Sequence, residues 1–387
     1  FLNNRVNGSL EVYWNTTKDL LMAVPVDNTT GYSYQFQNFG KTSNRGIELS
    51  VNVDVINKGD FRFNVGAIYN YNRNKLDELP NADQYLYSSY WGSSSLVPTN
   101  DYMFVEGKAI GLVRGFISEG YYTVDDFNYT NGQYVLKEGV PDITKALTAT
   151  YMHPYDLPAG QTAFPGAAKF RDVDESGTVD LDDATCLGEV MPRHTGSFQL
   201  NFNYKNFDLS TNFNWTAGGK VYNVAAMINA SGQEFDGIGA QRASWVADAF
   251  KVYNVNAAGD LYAVTNPDEL RALNANAKYH LPYHQSGITS SEWLENGSYL
   301  RLQTLTLGYT LPKNWLTKVH VDKIRLYLTA TNLFTITGYS GIDPEVNANP
   351  TGQSGFYSDL RIFPTLNMDF GTYPRARTFT FGANITF

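Results

Sequence analysis

The chain has 387 residues and a formal net charge of −9, with 17% charged and 14% aromatic residues, among them 27 Tyr. That charge content lies below the roughly 25% of soluble domains, and the chain is too aromatic for disorder. An acidic chain without a basic stripe excludes nucleic acid as a partner. No apolar run approaches the roughly 18 residues of a membrane helix, since Leu20–Val24 is closed by Pro25. The remaining class is all-β, and transmembrane barrels are prominent in it because their apolar surface occupies alternate residues. Cys186 is the single cysteine, so no intramolecular disulfide forms. The first residues, Phe1-Leu2-Asn3-Asn4-Arg5, have neither a charged nor an apolar leader region, so no signal peptide is expected there.

Period-two alternation predicts eight strands. The first, near 5–24, sets Val6, Leu10, Val12 and Trp14 against Asn7, Ser9, Glu11 and Tyr13. The second, near 34–56, alternates Ile47, Leu49, Val51 and Val53 with Glu48, Ser50, Asn52 and Asp54. The third, near 61–74, sets Phe61, Phe63, Val65, Tyr69 and Tyr71 against Arg62, Asn64, Asn70 and Asn72. A long connection, 75–195, follows. Its aromatic tract, Tyr85, Tyr87, Tyr90 and Trp91, sits among Ser and Gly; flat rings with polar edges suit stacking on a sugar, so these four are candidate substrate contacts.

The same connection holds Asp172-Val173-Asp174-Glu175-Ser176-Gly177-Thr178-Val179-Asp180-Leu181-Asp182-Asp183, which fits a twelve-residue calcium loop. Side-chain oxygens fall at Asp172, Asp174, Ser176, Asp180 and Asp183, and Thr178 offers its carbonyl. Gly177 permits the sharp turn and Val179 is the hydrophobic anchor. Position twelve is Asp rather than the bidentate Glu, and no flanking helix pair is evident. A structural Ca2+ bracing this loop is expected; no organic cofactor is.

The fourth and fifth strands, near 196–204 and 207–216, set Phe198, Leu200, Phe202, Phe207, Leu209, Phe213 and Trp215 against Gln199, Asn201, Asn203, Asp208, Ser210, Asn212 and Asn214. The connection 217–298 follows, with a short helix expected around 239–250 whose Trp245 packs in a core, as does Trp293. In the sixth strand, near 299–311, Leu300 and Leu302 differ in parity from Leu305, Leu307 and Tyr309, which predicts a bulge near Thr304. The seventh lies near 322–333. The connection 334–375 leads to the eighth, near 376–387.

Two predicted strands are far longer than the five or six residues usual in globular sheets. Short connections alternate with long ones, so all short turns fall on one side. That is the asymmetry of outer-membrane barrels, with short periplasmic turns and long external loops, and it puts the C-terminus on the periplasmic side. Polar residues such as Glu48, Asn52, Asn70, Asn201, Asn203, Asn212 and Asn214 then line a wet interior.

Particular stretches resemble SusC/RagA-type TonB-dependent transporters. They are Asn38-Phe39-Gly40 with Asn44-Arg45-Gly46-Ile47-Glu48-Leu49, then Phe170–Asp183, Ser298–Leu302 and Leu307–Pro312. Thr331–Phe334, Gly341–Glu345, Tyr373-Pro374-Arg375, Thr378–Gly382 and the terminal Phe387 continue the match in order. The resemblance implies the C-terminal part of a barrel of about 22 strands, with plug domain and N-terminal strands absent from this chain. It further implies TonB-driven import of a glycan or oligosaccharide across the outer membrane. A SusD-like surface lipoprotein, TonB, the lipid bilayer and the N-terminal plug and barrel part are the implied partners. Peptide is the alternative cargo. A passive porin closed by this chain alone, and a soluble calcium-stabilised carbohydrate-binding β-protein, are the alternatives outside the family.

No Ser–His–Asp order, P-loop or dinucleotide fingerprint occurs, so no catalytic residue is assigned and no enzyme is expected. His280 and His284 have a helical metal spacing, but Pro282 between them breaks a helix. His153, His194 and His320 stand alone.

Overall fold

In a computed structural model of the chain, the described residues are 5–25, 28–31, 34–38, 40–79, 84–88, 97–148, 153–231, 243–281, 287–317, 321–346 and 366–387. Eight strands form one antiparallel sheet in strict chain order. They are β1 (Val6–Lys18), β2 (Lys41–Lys58), β3 (Phe61–Glu78), β4 (His194–Tyr204), β5 (Phe207–Ala217), β6 (Tyr299–Thr310), β7 (Lys323–Thr337) and β8 (Thr378–Thr386). Each coincides with a predicted strand. Two expected strands are broken: the first is interrupted at Asp19 (φ 59°), and the second at Gly40 (φ 92°). Leu21–Pro25 and Tyr34–Asn38 beyond those breaks pair as a separate hairpin.

Register explains the two faces. Leu10, Leu49, Tyr69, Gly196, Trp215, Leu300 and Ile336 are successive partners in one row across seven strands. The next row on the same face runs Gly8, Val51, Ala67, Phe198, Phe213, Leu302 and Phe334. Side chains alternate with period two, so the intervening rows carry the polar residues to the opposite face. Asn7, Asn52, Gly66, Gln199, Asn212 and Thr304 make one such row.

The bulge in β6 is at Gln303: Asn212 pairs with Thr304 while Phe213 pairs with Leu302. One extra residue restores the parity, so Leu300 and Leu302 share a face with Leu305 and Leu307. On β7 two extra residues, Asn332 and Leu333, answer it between Thr331 and Phe334. Asn332 takes a left-handed conformation (φ 52°) and donates to the Ala376 carbonyl at 3.0 Å.

The short connections Gly59-Asp60, Lys205-Asn206 and 311–322 all lie at one end of the sheet. The long ones lie at the other and fold into a layer with its own core. Strands within 79–193 and 218–298 form small separate sheets; among the described residues none joins the eight-stranded sheet. One apolar cluster gathers Phe116, Tyr122, Tyr134, Phe164, Phe170, Val179 and Leu270. A second gathers Tyr102, Phe104, Tyr222, Met227, Trp245 and Trp293, joined by Leu76 from the far end of β3. The buried core therefore belongs to the loops.

Candidate functional site

The apolar face of the sheet is open. Leu10, Val12 and Trp14 on β1 are 66%, 74% and 65% exposed, and Phe379 and Phe381 on β8 are 65% and 72% exposed. Rings on this face pair across strands: Phe63 stacks on Phe202 at 4.2 Å and Phe198 on Phe213 at 4.6 Å. An apolar surface of this extent, bare of any packed layer among the described residues, is a surface for hydrocarbon.

The opposite face is laced by polar side chains. Asn64 donates to Asp54 at 3.0 Å, Ser210 to Asn201 at 2.7 Å and Asn214 to Gln303 at 2.6 Å. Arg325 on β7 reaches across β6 to Asp208 on β5, with Nε–Oδ1 at 2.9 Å and Nη2–Oδ2 at 2.5 Å. Gly308 lies between them because a Cβ there would meet Asp208 and Arg325 atoms at 2.5 Å. Gly46 has a like role in the Asn-Arg-Gly motif, since the Tyr13 ring crosses it and a Cβ would lie 2.2 Å from the phenol oxygen.

The acidic loop sits in the first long connection. Thr178-Val179 pairs in parallel with Asp142-Ile143, and Val179 is fully buried, as expected of an anchor. Asp172, Asp174 and Asp183 each bring a carboxylate oxygen within 4.8 Å of the others. Backbone N–H groups hold these carboxylates. Asp183, 1% exposed, accepts from Val173 at 2.6 Å, Asp174 at 3.3 Å and Asp180 at 2.8 Å. Asp172 accepts from Ser176 and Gly177 at 3.1 and 2.7 Å. Hydrogen bonds from Ser176 hold the Asp174 carboxyl below the usual carboxylate range. Three carboxylates gathered this closely are hard oxygen donors, the chemistry that calcium takes.

The other three predicted ligands are arranged differently. The Ser176 hydroxyl donates to the Thr178 carbonyl at 3.0 Å. Asp180 caps the turn 181–183, accepting from the Asp182 N–H at 2.8 Å. Its carboxylate is engaged there rather than in the cluster of three.

Of the aromatic tract, Tyr90 and Trp91 lie outside the described residues. Tyr87 is a core residue, 5% exposed and stacked on Phe104 at 4.7 Å. The strand Gln84–Tyr87 turns that ring into the second cluster, which removes it as a cargo platform. Tyr85, on the same strand, is half-buried.

His284 and His320 also lie outside the described residues. His280 is buried; its Nδ1 is 2.9 Å from the Leu281 carbonyl, and its Nε2 is 3.9 Å from Glu292. Burial lowers the His280 pKa to about 4 and raises that of Glu292 to about 7. The helix expected around 239–250 is described as Ala243–Asp248, with Trp245 and Trp293 both in the core. Nothing in the sequence pattern singled out Glu292. Its single signal is position, one residue before Trp293.

Residues 1–333 match the family model "TonB dependent receptor-like, beta-barrel". The chain is 30% identical over 386 residues to TonB-dependent receptor P3 of Formosa agariphila, covering 100% of this chain and 33% of that protein. It is 25% identical over 397 residues to TonB-dependent receptor SusC of Bacteroides thetaiotaomicron, covering 100% of this chain and 31% of that one. Among solved structures, the RagAB peptide transporter superposes with a TM-score of 0.65 at 21% identity, over 100% of this chain and 34% of the matched one. The chain thus spans about a third of the length of the curated relatives it matches. The curated relatives are named as receptors, and the solved structure as a transporter. The chain belongs to the TonB-dependent receptor family, of SusC/RagA type, and its eight strands are part of that family's outer-membrane β-barrel.

Proposed function

We propose that this chain forms wall, lumen lining and outer rim of a TonB-dependent importer that takes up an oligosaccharide with a SusD-like lipoprotein. The observation that carries this is the two-faced sheet: exposed apolar rows on one side, hydrogen-bonded Asn, Ser, Thr and Arg–Asp groups on the other. The first suits lipid and the second a hydrated path. In this reading the long connections are extracellular, the C-terminus is periplasmic, and TonB acts through the plug domain of the whole transporter. The loop layer, with its own buried core, is the platform for the lipoprotein. Calcium at Asp172, Asp174 and Asp183 braces that layer, with Ser176, Thr178 and Asp180 alongside. Tyr85, Tyr90 and Trp91 are the part of the aromatic tract proposed to meet cargo.

The second reading is peptide import, favoured by the likeness to a structure titled as a peptide transporter. Growth of cells carrying or lacking the transporter, on defined oligosaccharides and on oligopeptides as sole carbon source, separates the two. Loss of growth on an oligosaccharide supports the first; loss on peptides alone overturns it in favour of the second. Unchanged growth on both overturns the import reading.

A further inference from the structure

A cleft of about 170 Å³ opens at the edge of the second apolar cluster. Trp245, Tyr279 and Trp293 line it, together with Glu292, Glu295 and Ser340. Trp245 stacks on Tyr279 at 3.9 Å and lies 5.2 Å from Trp293, so the aromatic wall is rigid. Glu295 is fully used: it accepts from Asn223 and from the Ser340 N–H and hydroxyl, each at 2.7 Å. That network fixes the polar mouth.

One buried polar group of the lining is left unpaired, and a half-buried carboxyl lines the same cleft. The Trp245 indole N–H is buried without a hydrogen-bond partner among the described residues, and the residue is 8% exposed. Glu292, its side chain 24% exposed, has the neutral His280 Nε2 at 3.9 Å, beyond hydrogen-bond reach. A buried N–H left without an acceptor costs stability. Such a group marks a place where a ligand or water completes the pairing.

We infer that this cleft is a subsite for one sugar ring of the cargo, with a ring hydroxyl accepting from Trp245 and another bonded to the Glu292 carboxyl. The volume holds one small ring. Hydroxyls both donate and accept, so one ligand class satisfies an orphan donor and a carboxyl together. The apolar C–H face of the ring lies against the aromatic wall, whose Tyr and Trp bodies are flat and apolar. A cationic ligand fits less well, because burial keeps Glu292 partly protonated at neutral pH and a cation would need it ionised. The inference rests on oligosaccharide import for its cargo class.

The test uses the intact detergent-solubilised transporter labelled with 5-fluorotryptophan. Trp245→Phe identifies the Trp245 fluorine resonance. Methyl glucoside is expected to shift that resonance saturably. Glu292→Leu, which replaces a half-buried carboxyl by a side chain of similar size, is expected to weaken the response about five- to tenfold. No shift with the glucoside overturns the inference. So does an unchanged response in Glu292→Leu, or a shift produced by N-acetylglycinamide and not by the glucoside. A transporter that imports oligosaccharide while Trp245 stays silent overturns this subsite alone. One that imports only peptide while Trp245 responds to the glucoside overturns the cargo reading and leaves the sugar site standing.

Discussion

Arg301 and Asp343, 42 positions apart in sequence, form a buried ion pair with Nη2–Oδ1 at 2.5 Å. Arg301 is 2% exposed on β6, and Asp343 follows the end of β7. Glu345 extends the cluster, 3.3 Å from Arg301 and 2.6 Å from Arg375 ahead of β8. Three neighbouring strands are thus tied at their loop end, by a pair shielded from water at Arg301–Asp343 and by a more exposed one at Arg375–Glu345.

Removing one member leaves a buried guanidinium short of a partner. Asp343→Asn is expected to destabilise the protein by about 3 kcal/mol. The double variant Arg301→Met with Asp343→Leu is expected to recover much of that loss, since an apolar pair has no charge to desolvate. Denaturant unfolding in detergent measures both. Equal loss in the single and double variants would argue against the ion pair as the cause.

The acidic loop makes a separate prediction. Calcium added to chelated protein is expected to raise the midpoint of thermal unfolding, and Asp172→Asn is expected to abolish most of that rise. Asp183→Ala is expected to cost on the order of 3 kcal/mol even without metal, because three backbone N–H groups lose their acceptor. Calorimetry with no heat at millimolar calcium would refute metal binding while leaving the Asp183 prediction intact.

Stability should depend on pH through Glu292 and His280. The Glu292 pKa is raised from 4.5 to about 7, so the folded state holds a proton that the unfolded state releases. Stability from this group is present below 4.5 and lost as pH rises through 7. The His280 pKa is lowered from 6.5 to about 4, which gives the opposite slope between those values. Above 6.5 Glu292 dominates, so stability is expected to fall slightly between about pH 6.5 and 8, by less than roughly 1 kcal/mol. Glu292→Gln is expected to flatten that limb. A wild-type curve already flat there would contradict it.

The sidedness of the wall is testable at adjacent positions. A spin label at Val51 is expected to be quenched by oxygen in the bilayer and one at Asn52 by a water-soluble relaxant. An Arg placed at position 51 is expected to cost about 2–4 kcal/mol near the bilayer midplane, and far less at position 52. Reversed accessibilities would overturn the orientation.

Deleting Gln303 tests the bulge. Without it, Leu302 is followed by Thr304 and Leu305, and plain alternation keeps Leu300 and Leu302 on the face of Leu305 and Leu307 with no bulge. The expected outcome is preserved assembly, seen as the slow-migrating folded form on gels run without heating. Loss of that form would show that the extra residue is itself needed, opposite Asn332 and Leu333 on β7.

Eight strands, their faces, the β6 bulge and the alternation of short and long connections were all legible in the sequence. Each is a local consequence of side-chain parity and turn residues, and a chain with one face toward lipid writes that parity plainly. The gathering of Asp172, Asp174 and Asp183 was legible for a like reason, since they lie within twelve consecutive residues. Tertiary structure alone decided that Tyr87 points into a core, that Asp180 caps a turn, that Arg301 meets Asp343, and that Glu292 lies beside His280 and Trp245. Apart from the Asp180 cap, which is local, those contacts form between separate elements of the chain. Packing of the loop layer brings them together, and no period or spacing in the sequence records it.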